Sequence, residues 1–166
     1  PVEQTAWDPD GTVLITGDQA GHVARHLVTG RGMRNLLLLP TGAPDETLVD
    51  ELTKLGAKVE VAACDLTDRA ALAEVLADAP ALTVVIHTAG APDGDTTSLI
   101  ASSWHLHELT RDRGLAAFIL YSSVDGLMGA ARRSSYAFVD ALAVHRRDEG
   151  LPGLSLAWGE ISAEDA

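Results

Sequence analysis

Lysine is nearly missing from this 166-residue sequence: it occurs only at Lys54 and Lys58, against ten arginines. Chemistry that needs an ammonium group is therefore excluded from the whole stretch beyond Lys58. Cysteine is scarcer still. Cys64 stands alone, so no intramolecular disulfide can form, and a reducing cytoplasm is the expected compartment. Its expected role is that of a small buried apolar residue. Aromatic residues make up only 4% of a chain that is 46% hydrophobic, so the core must be built from Ala, Leu and Val. Positive charge is also short. A formal net charge of -12 argues against nucleic acid or an anionic membrane as partner and for a solvated surface. No apolar run approaches the ~18 residues of a membrane span. The opening PVEQTAWDPDG has neither the basic start nor the apolar stretch of a signal peptide. A first residue of Pro rather than Met suggests a piece of a longer polypeptide, and the length suits one domain over residues 1–166.

What is present is an alternation. TVLIT at 12–16 is a short apolar run entering a glycine, the pattern of a buried strand. Residues 19–29 place Ala20, Val23, Ala24 and Leu27 on one helical stripe, with Gly30 and Gly32 expected to stop it. A second apolar run, Leu36 to Leu39, ends at Pro40. PDETLVDELTKL then reads as a helix with Pro44 at an early position and acids in its first turn. The pattern repeats as strands at 57–63, 82–87, 117–121 and 154–158 and helices at 68–77, 99–112 and around 134–148. Such alternation predicts an α/β fold: a Rossmann-like, doubly wound parallel sheet of about six strands with helices on both faces. There is no linker, repeat or low-complexity segment.

In such a fold the turn after the first strand grips a dinucleotide, because glycines admit the pyrophosphate and the next helix offers N–H donors. The turn here is Thr16-Gly17-Asp18-Gln19-Ala20-Gly21. The G-x-G-x-x-G spacing is absent, and Asp18 places an anion where phosphates belong. The turn is open to two readings, a plain strand–helix connection or a weakened dinucleotide site. A second signal is Tyr121-Ser122-Ser123 closing a strand, with Tyr136 thirteen positions after Ser123 at the start of a helix. A Ser and a Tyr so placed can hold and protonate a substrate oxygen, provided a cation lowers the tyrosine pKa from about 10. His105 and His107, two apart on a helix, point to different faces, and His22 and His26 lack an evident third ligand, so no metal is expected. Arg132 and Arg133 lie near Tyr136 in sequence, but arginine holds its proton, and they are expected to be solvated or ion-paired.

DGTVLITG, AGHVARHL, LGAKVEVAACDLTDRAAL, HTAG, WHLHELTRDRGLAAFILYSS, DALAVHRRDEGLP and SLAWG run in order through the chain. Together they resemble the catalytic half of the ketoreductases of modular polyketide synthases, which are short-chain dehydrogenase-like proteins. The resemblance covers nearly the whole sequence. It implies Ser123 and Tyr136 as catalytic serine and tyrosine, and Gly17 and Gly21 as remnants of the cofactor loop. It places Asp65 and Leu66 beside the adenine, and Ala89 and Gly90 beneath the nicotinamide ribose. NADPH would be the cofactor if there is one, and neighbouring synthase domains and an acyl carrier protein the partners.

The departures are as specific as the matches. The family's TGGTGxLG loop is shortened to TGDQAG, and its Ser-Arg-Arg for the 2′-phosphate is replaced by Pro40-Thr41-Gly42. The stretch between HTAG and WHLHEL is short. The family lysine belongs five residues before Trp104, where this chain has Leu99, and the alternative lysine position four residues after Tyr136 is Asp140. The family's YAxxNAFLDAL becomes Tyr136-Ala137-Phe138-Val139-Asp140-Ala141-Leu142, about one helical turn shorter, without the active-site asparagine. Its stereochemical markers align with Pro92-Asp93-Gly94 and Met128, which match neither class. These losses imply a truncated active-site region and a redox-inactive domain kept for architecture, with no cofactor expected. The surviving Ser123 and Tyr136 keep open an epimerase at the α-carbon of a β-ketoacyl thioester, and beyond it a weakened NADPH-dependent reductase.

Overall fold

The computed structural model describes residues 7–88, 96–123 and 133–158. Six parallel strands, β1 (Thr12–Thr16), β2 (Asn35–Leu39), β3 (Lys58–Val61), β4 (Leu82–His87), β5 (Ala117–Ser123) and β6 (Leu154–Trp158), form one sheet in the order β3-β2-β1-β4-β5-β6. The helices are α1 (Ala20–Arg31), α2 (Glu46–Lys54), α3 (Arg69–Ala77), α4 (Thr96–Thr110) and α5 (Arg133–Asp148). None of the described helices is long and apolar enough to cross a membrane.

The period-2 geometry of a strand divides the core cleanly. Val13, Ile15, Leu36, Leu38, Val84 and Ile86 point to the face covered by Ala20, Ala24 and Leu27 of α1 and Leu48 and Leu52 of α2. Their neighbours Leu14, Leu37, Leu39, Val85, Phe118 and Leu120 face Leu72 and Leu76 of α3, Leu99 and Leu106 of α4 and Val139 and Leu142 of α5. Both faces are dry, which is why the strands read as continuous apolar runs. On α5 the buried residues are Val139, Leu142, Ala143 and Arg146, at i, i+3, i+4 and i+7, an unbroken stripe through the helix expected to be a turn short.

Several element boundaries differ from the sequence reading. Gly30 lies inside α1; only Gly32 adopts a left-handed conformation (φ 67°), and its N–H reaches the Leu27 carbonyl to end the helix. Pro44 precedes α2, whose N-cap is Asp45, the carboxylate accepting from Thr47 N at 3.0 Å and Leu48 N at 3.2 Å. The third strand is shorter than 57–63, α4 begins three residues earlier and ends two earlier than expected, and β5 runs on through Ser122 and Ser123 because they pair with Ala157 and Trp158. Cys64 is half-buried rather than buried. Its sulfur lies 3.7 Å from the Asp65 carbonyl, and burial raises its thiol pKa.

Two buried polar side chains tie the layers together. His87, at the end of β4, is 1% exposed; its Nδ1 meets the Thr16 hydroxyl and its Nε2 lies 3.2 Å from Ser102 Oγ on α4. Ser102 donates to the Leu99 carbonyl at 3.1 Å, so its oxygen accepts from Nε2–H and the ring is the neutral tautomer with Nδ1 accepting. Arg146 on α5 is fully buried. It donates from Nε to the Pro152 carbonyl at 2.7 Å and from Nη1 to His107 Nδ1 on α4 at 3.0 Å, and it lies 3.8 Å over the Phe118 ring of β5. Burial pushes its pKa down to about 10, while Glu149 pulls it back up. Gly153 makes this clamp possible: a Cβ there would fall 2.6 Å from the Ala143 carbonyl and 3.0 Å from Arg146 Cβ.

Two stability predictions follow. Burial lowers the His87 pKa to about 4, from an ordinary value of 6.5. Between those values the unfolded chain binds the proton and the folded one does not, so stability is lost as the pH drops. That is about 2 kcal/mol between pH 7 and pH 5. Urea denaturation at the two pH values should show this loss in the wild type and a correspondingly smaller one in His87→Gln. Arg146→Met should lower stability by roughly 3 kcal/mol, because it strands the Pro152 carbonyl and His107 Nδ1. Thermal or chemical denaturation measures it.

Candidate functional site

From β1 the chain builds outward to β2 and β3 on one side and then to β4, β5 and β6 on the other. The connections leaving β1 and β4 therefore diverge, and the crevice of a doubly wound sheet opens at their C-terminal ends. A cleft of about 290 Å³ lies beside this point, on the β2 side, lined by Gly17, Asp18, Gly21, Pro40, Thr41 and Asp45 among others.

The turn that forms its wall is closed from within. Gly17 has φ 97°, and its N–H donates to the Leu39 carbonyl at 3.2 Å. Thr88 N and Thr88 Oγ1 both donate to the Thr16 carbonyl, at 2.8 and 2.6 Å. Thr88 Oγ1 also accepts from Gln19 N at 3.2 Å, and Ala20 N reaches the Gly17 carbonyl at 3.4 Å. Gly21 faces α2: a Cβ on it would meet Leu48 Cδ2 at 3.1 Å, so this glycine serves helix–helix approach. Arg25 is the one arginine or lysine among the described lining residues. Both its Nε and Nη2 donate to Glu51, at 2.8 and 2.7 Å, raising the arginine pKa and lowering that of the glutamate. The loop after β2 adds no cation. Asp45 already occupies the N-terminus of α2 with a carboxylate.

The other predicted residues are distributed around this end of the sheet. Asp65 and Leu66 lie in the β3–α3 connection and are not part of the cleft lining. The Asp65 carboxylate accepts from Thr67 Oγ1 at 2.6 Å and Thr67 N at 2.9 Å, bonds that hold its pKa below the ordinary range. The Leu66 carbonyl accepts from His105 Nδ1 at 3.0 Å. Ser123 is the last residue of β5 and Tyr136 lies in the first turn of α5, half-buried against the core that contains Leu99. Leu99, expected at the position of the family lysine, is 2% exposed and belongs to that core. Ala89, Gly90, Pro92, Asp93, Gly94, Met128 and Arg132 fall outside the described residues.

The histidine pair read as pointing apart does so. His105 turns to the Leu66 carbonyl, and His107 turns to α5. What sequence spacing did not reveal is that His107 meets His145 and Glu149, all three presenting ligand atoms within 4.8 Å of one another. They lie 38 and 42 residues from His107, so no local motif signals the cluster. Arg146 donates to His107 Nδ1, which keeps the proton on Nε2, the nitrogen that faces Glu149 Oε2 at 3.9 Å. Arg111 also holds Glu149, at 3.3 Å. The cluster is thus built as an ion-pair network around one glutamate, with two arginines opposing a further cation. Burial and the Arg146 charge both lower the His107 pKa.

A parallel sheet of this order with a glycine turn after β1 defines a Rossmann-type domain of the short-chain dehydrogenase kind. The KR domain model matches residues 11–163, and the chain belongs to that family, the ketoreductase domains of modular polyketide synthases. It is 49% identical to the spectinabilin polyketide synthase system protein NorB of Streptomyces orinoci, over 93% of this chain and 8% of that one. It is 48% identical to the mycoketide-CoA synthase of Mycobacterium tuberculosis, over 90% of this chain and 4% of that one. Among solved structures, an A-type ketoreductase from a modular polyketide synthase superposes with a TM-score of 0.85 at 35% identity, covering 98% of this chain and 41% of that one. A C2-type ketoreductase gives 0.79 at 34% identity, covering 96% and 40%. The chain thus spans less than a tenth of these synthases and about two-fifths of the solved ketoreductases. The alignment to NorB runs over 183 positions while taking in 93% of 166 residues, so roughly thirty of its positions face gaps in this chain.

Gly21→Ala tests what that glycine does. The added methyl needs Leu48 to give by a few tenths of an ångström, against a helix-propensity gain of about 1 kcal/mol. The two nearly cancel, and the melting temperature should move by no more than a few degrees.

Proposed function

We propose that this ketoreductase domain is redox-inactive and serves its synthase as a structural unit, leaving the β-keto group of the intermediate unreduced. The observation that carries this reading is Leu99. In the position of the family lysine, which belongs to the proton relay with the tyrosine, stands a leucine absorbed into the hydrophobic core. The missing stretch of roughly thirty positions and the cation-free loop at Pro40-Thr41-Gly42 support it further. Each lost contribution of 1.4 kcal/mol to the transition state is a factor of ten in rate, and several losses combine. The partners on this reading are the neighbouring synthase domains and an acyl carrier protein.

Supplied with NADPH and a β-ketoacyl thioester, the domain should consume no NADPH above the background rate; measurable reduction overturns the proposal. Leu99→Lys should not restore turnover. It should cost roughly 3–5 kcal/mol, since it places an unpaired ammonium group in a dry core. Denaturation and the same absorbance assay read both effects.

Ser123 and Tyr136 support a second reading, proton exchange at the α-carbon of a β-ketoacyl thioester, with the serine holding the ketone and the tyrosine moving the proton. Washout of deuterium from an α-deuterated, α-methyl β-ketoacyl thioester faster than in buffer would favour it over a purely structural role.

A further inference from the structure

We infer that the cleft at the end of β1 has been converted from a dinucleotide site into one that rejects anionic nucleotides altogether, with protein groups standing where phosphate contacts would form. This rests on the family assignment but goes beyond the loss of reduction, because a domain without a proton relay can still bind its cofactor.

Three observations converge. The first is donor occupancy. Pyrophosphate recognition at a strand–helix turn needs main-chain N–H groups pointing out of the protein. Here those of Gly17, Gln19 and Ala20 are bound to the Leu39 carbonyl, Thr88 Oγ1 and the Gly17 carbonyl. The second is charge. Asp18 lies on the cleft lining two residues before α1, and Asp45 caps α2 on the same lining. The positive end of the α2 dipole thus faces a carboxylate of the chain itself. The one lining arginine is committed through two hydrogen bonds to Glu51. The third is shape: the space beside Gly21 on the cleft lining is filled by Leu48, whose Cδ2 would lie 3.1 Å from an added Cβ. An incoming pyrophosphate would have to displace these bonds, approach Asp18 and find no uncommitted arginine or lysine among the described lining residues, whose other basic side chain is His22. A 2′-phosphate would meet Pro40, Thr41 and Gly42, none of which carries charge.

Calorimetry and thermal denaturation with NADP⁺, NADPH, NAD⁺ and inorganic pyrophosphate test the inference on the domain as it stands. The expected result is no heat of binding and no rise in melting temperature at millimolar ligand, since a ligand well below its Kd adds nothing to stability. A Kd below about 100 µM for any of the four overturns it. Binding without turnover would overturn this inference alone and leave the redox-inactive reading standing; turnover would overturn both. Asp18→Asn, on an exposed residue, removes the charge with little change of shape, and Thr41→Arg adds the missing cation. The double variant should bind NADP⁺ at least tenfold more tightly than the wild type, with a smaller gain for NAD⁺. Equal and undetectable binding by a folded double variant, checked by circular dichroism, would overturn the electrostatic part of the account.

Discussion

The parallel pairing of β1 with β4 is the constraint on which the rest of the structure depends. Val13, Leu14, Ile15 and Thr16 lie against Val84, Val85, Ile86 and His87, fully or almost fully buried on both faces. Because β1 is the first strand and β4 its second neighbour, the sheet grows outward from this seam in both directions. At its C-terminal end the seam is closed by side chains. Thr16 meets the ring of His87, and Thr88 returns twice to the Thr16 carbonyl while holding the first N–H of the α1 entry. The same end of the seam positions α1, orients α4 through Ser102 and determines how much room a ligand has.

The far side of the molecule is held by a different device. Arg146 joins α5 to α4, to β5 and to the loop leading into β6, with a guanidinium that has no carboxylate in direct contact among the described residues. A buried arginine is tolerated where its donors are used and an anion stands nearby, here Glu149. The clamp completes the buried stripe of α5, formed by Val139, Leu142, Ala143 and Arg146. A deletion near one helical period, as the family resemblance implies for this helix, would keep such a stripe in phase while removing the residue on the lost turn. Fold and chemistry make separate demands on such a helix.

Leu99 shows that separation at one position. A lysine on α4 presenting its ammonium to a tyrosine and a leucine filling the core impose opposite demands on solvation. The chain meets the second. Similarly, Gly21 remains a glycine, but what it contacts is Leu48. A glycine kept at the cofactor turn can thus serve packing alone, and motif matches there say less than the bonds the turn makes.

The sequence by itself determined the layered α/β architecture and the order of its elements, because apolar periodicity of 2 and 3.6 is local information that burial enforces. It also determined the family and the absence of lysine beyond Lys58, since both are facts about residue types. It misplaced the end of α1 at Gly30 and the start of α2 at Pro44, where left-handed geometry at Gly32 and a carboxylate cap at Asp45 decided instead. What only the tertiary structure decided is which donors are already used and which charges are already paired. The bonds from Thr88 to the α1 turn join residues about seventy positions apart, and the cluster of His107, His145 and Glu149 joins helices separated by a strand. No local pattern encodes such pairings. They arise when the sheet brings distant strand ends together and each buried polar group must find a partner.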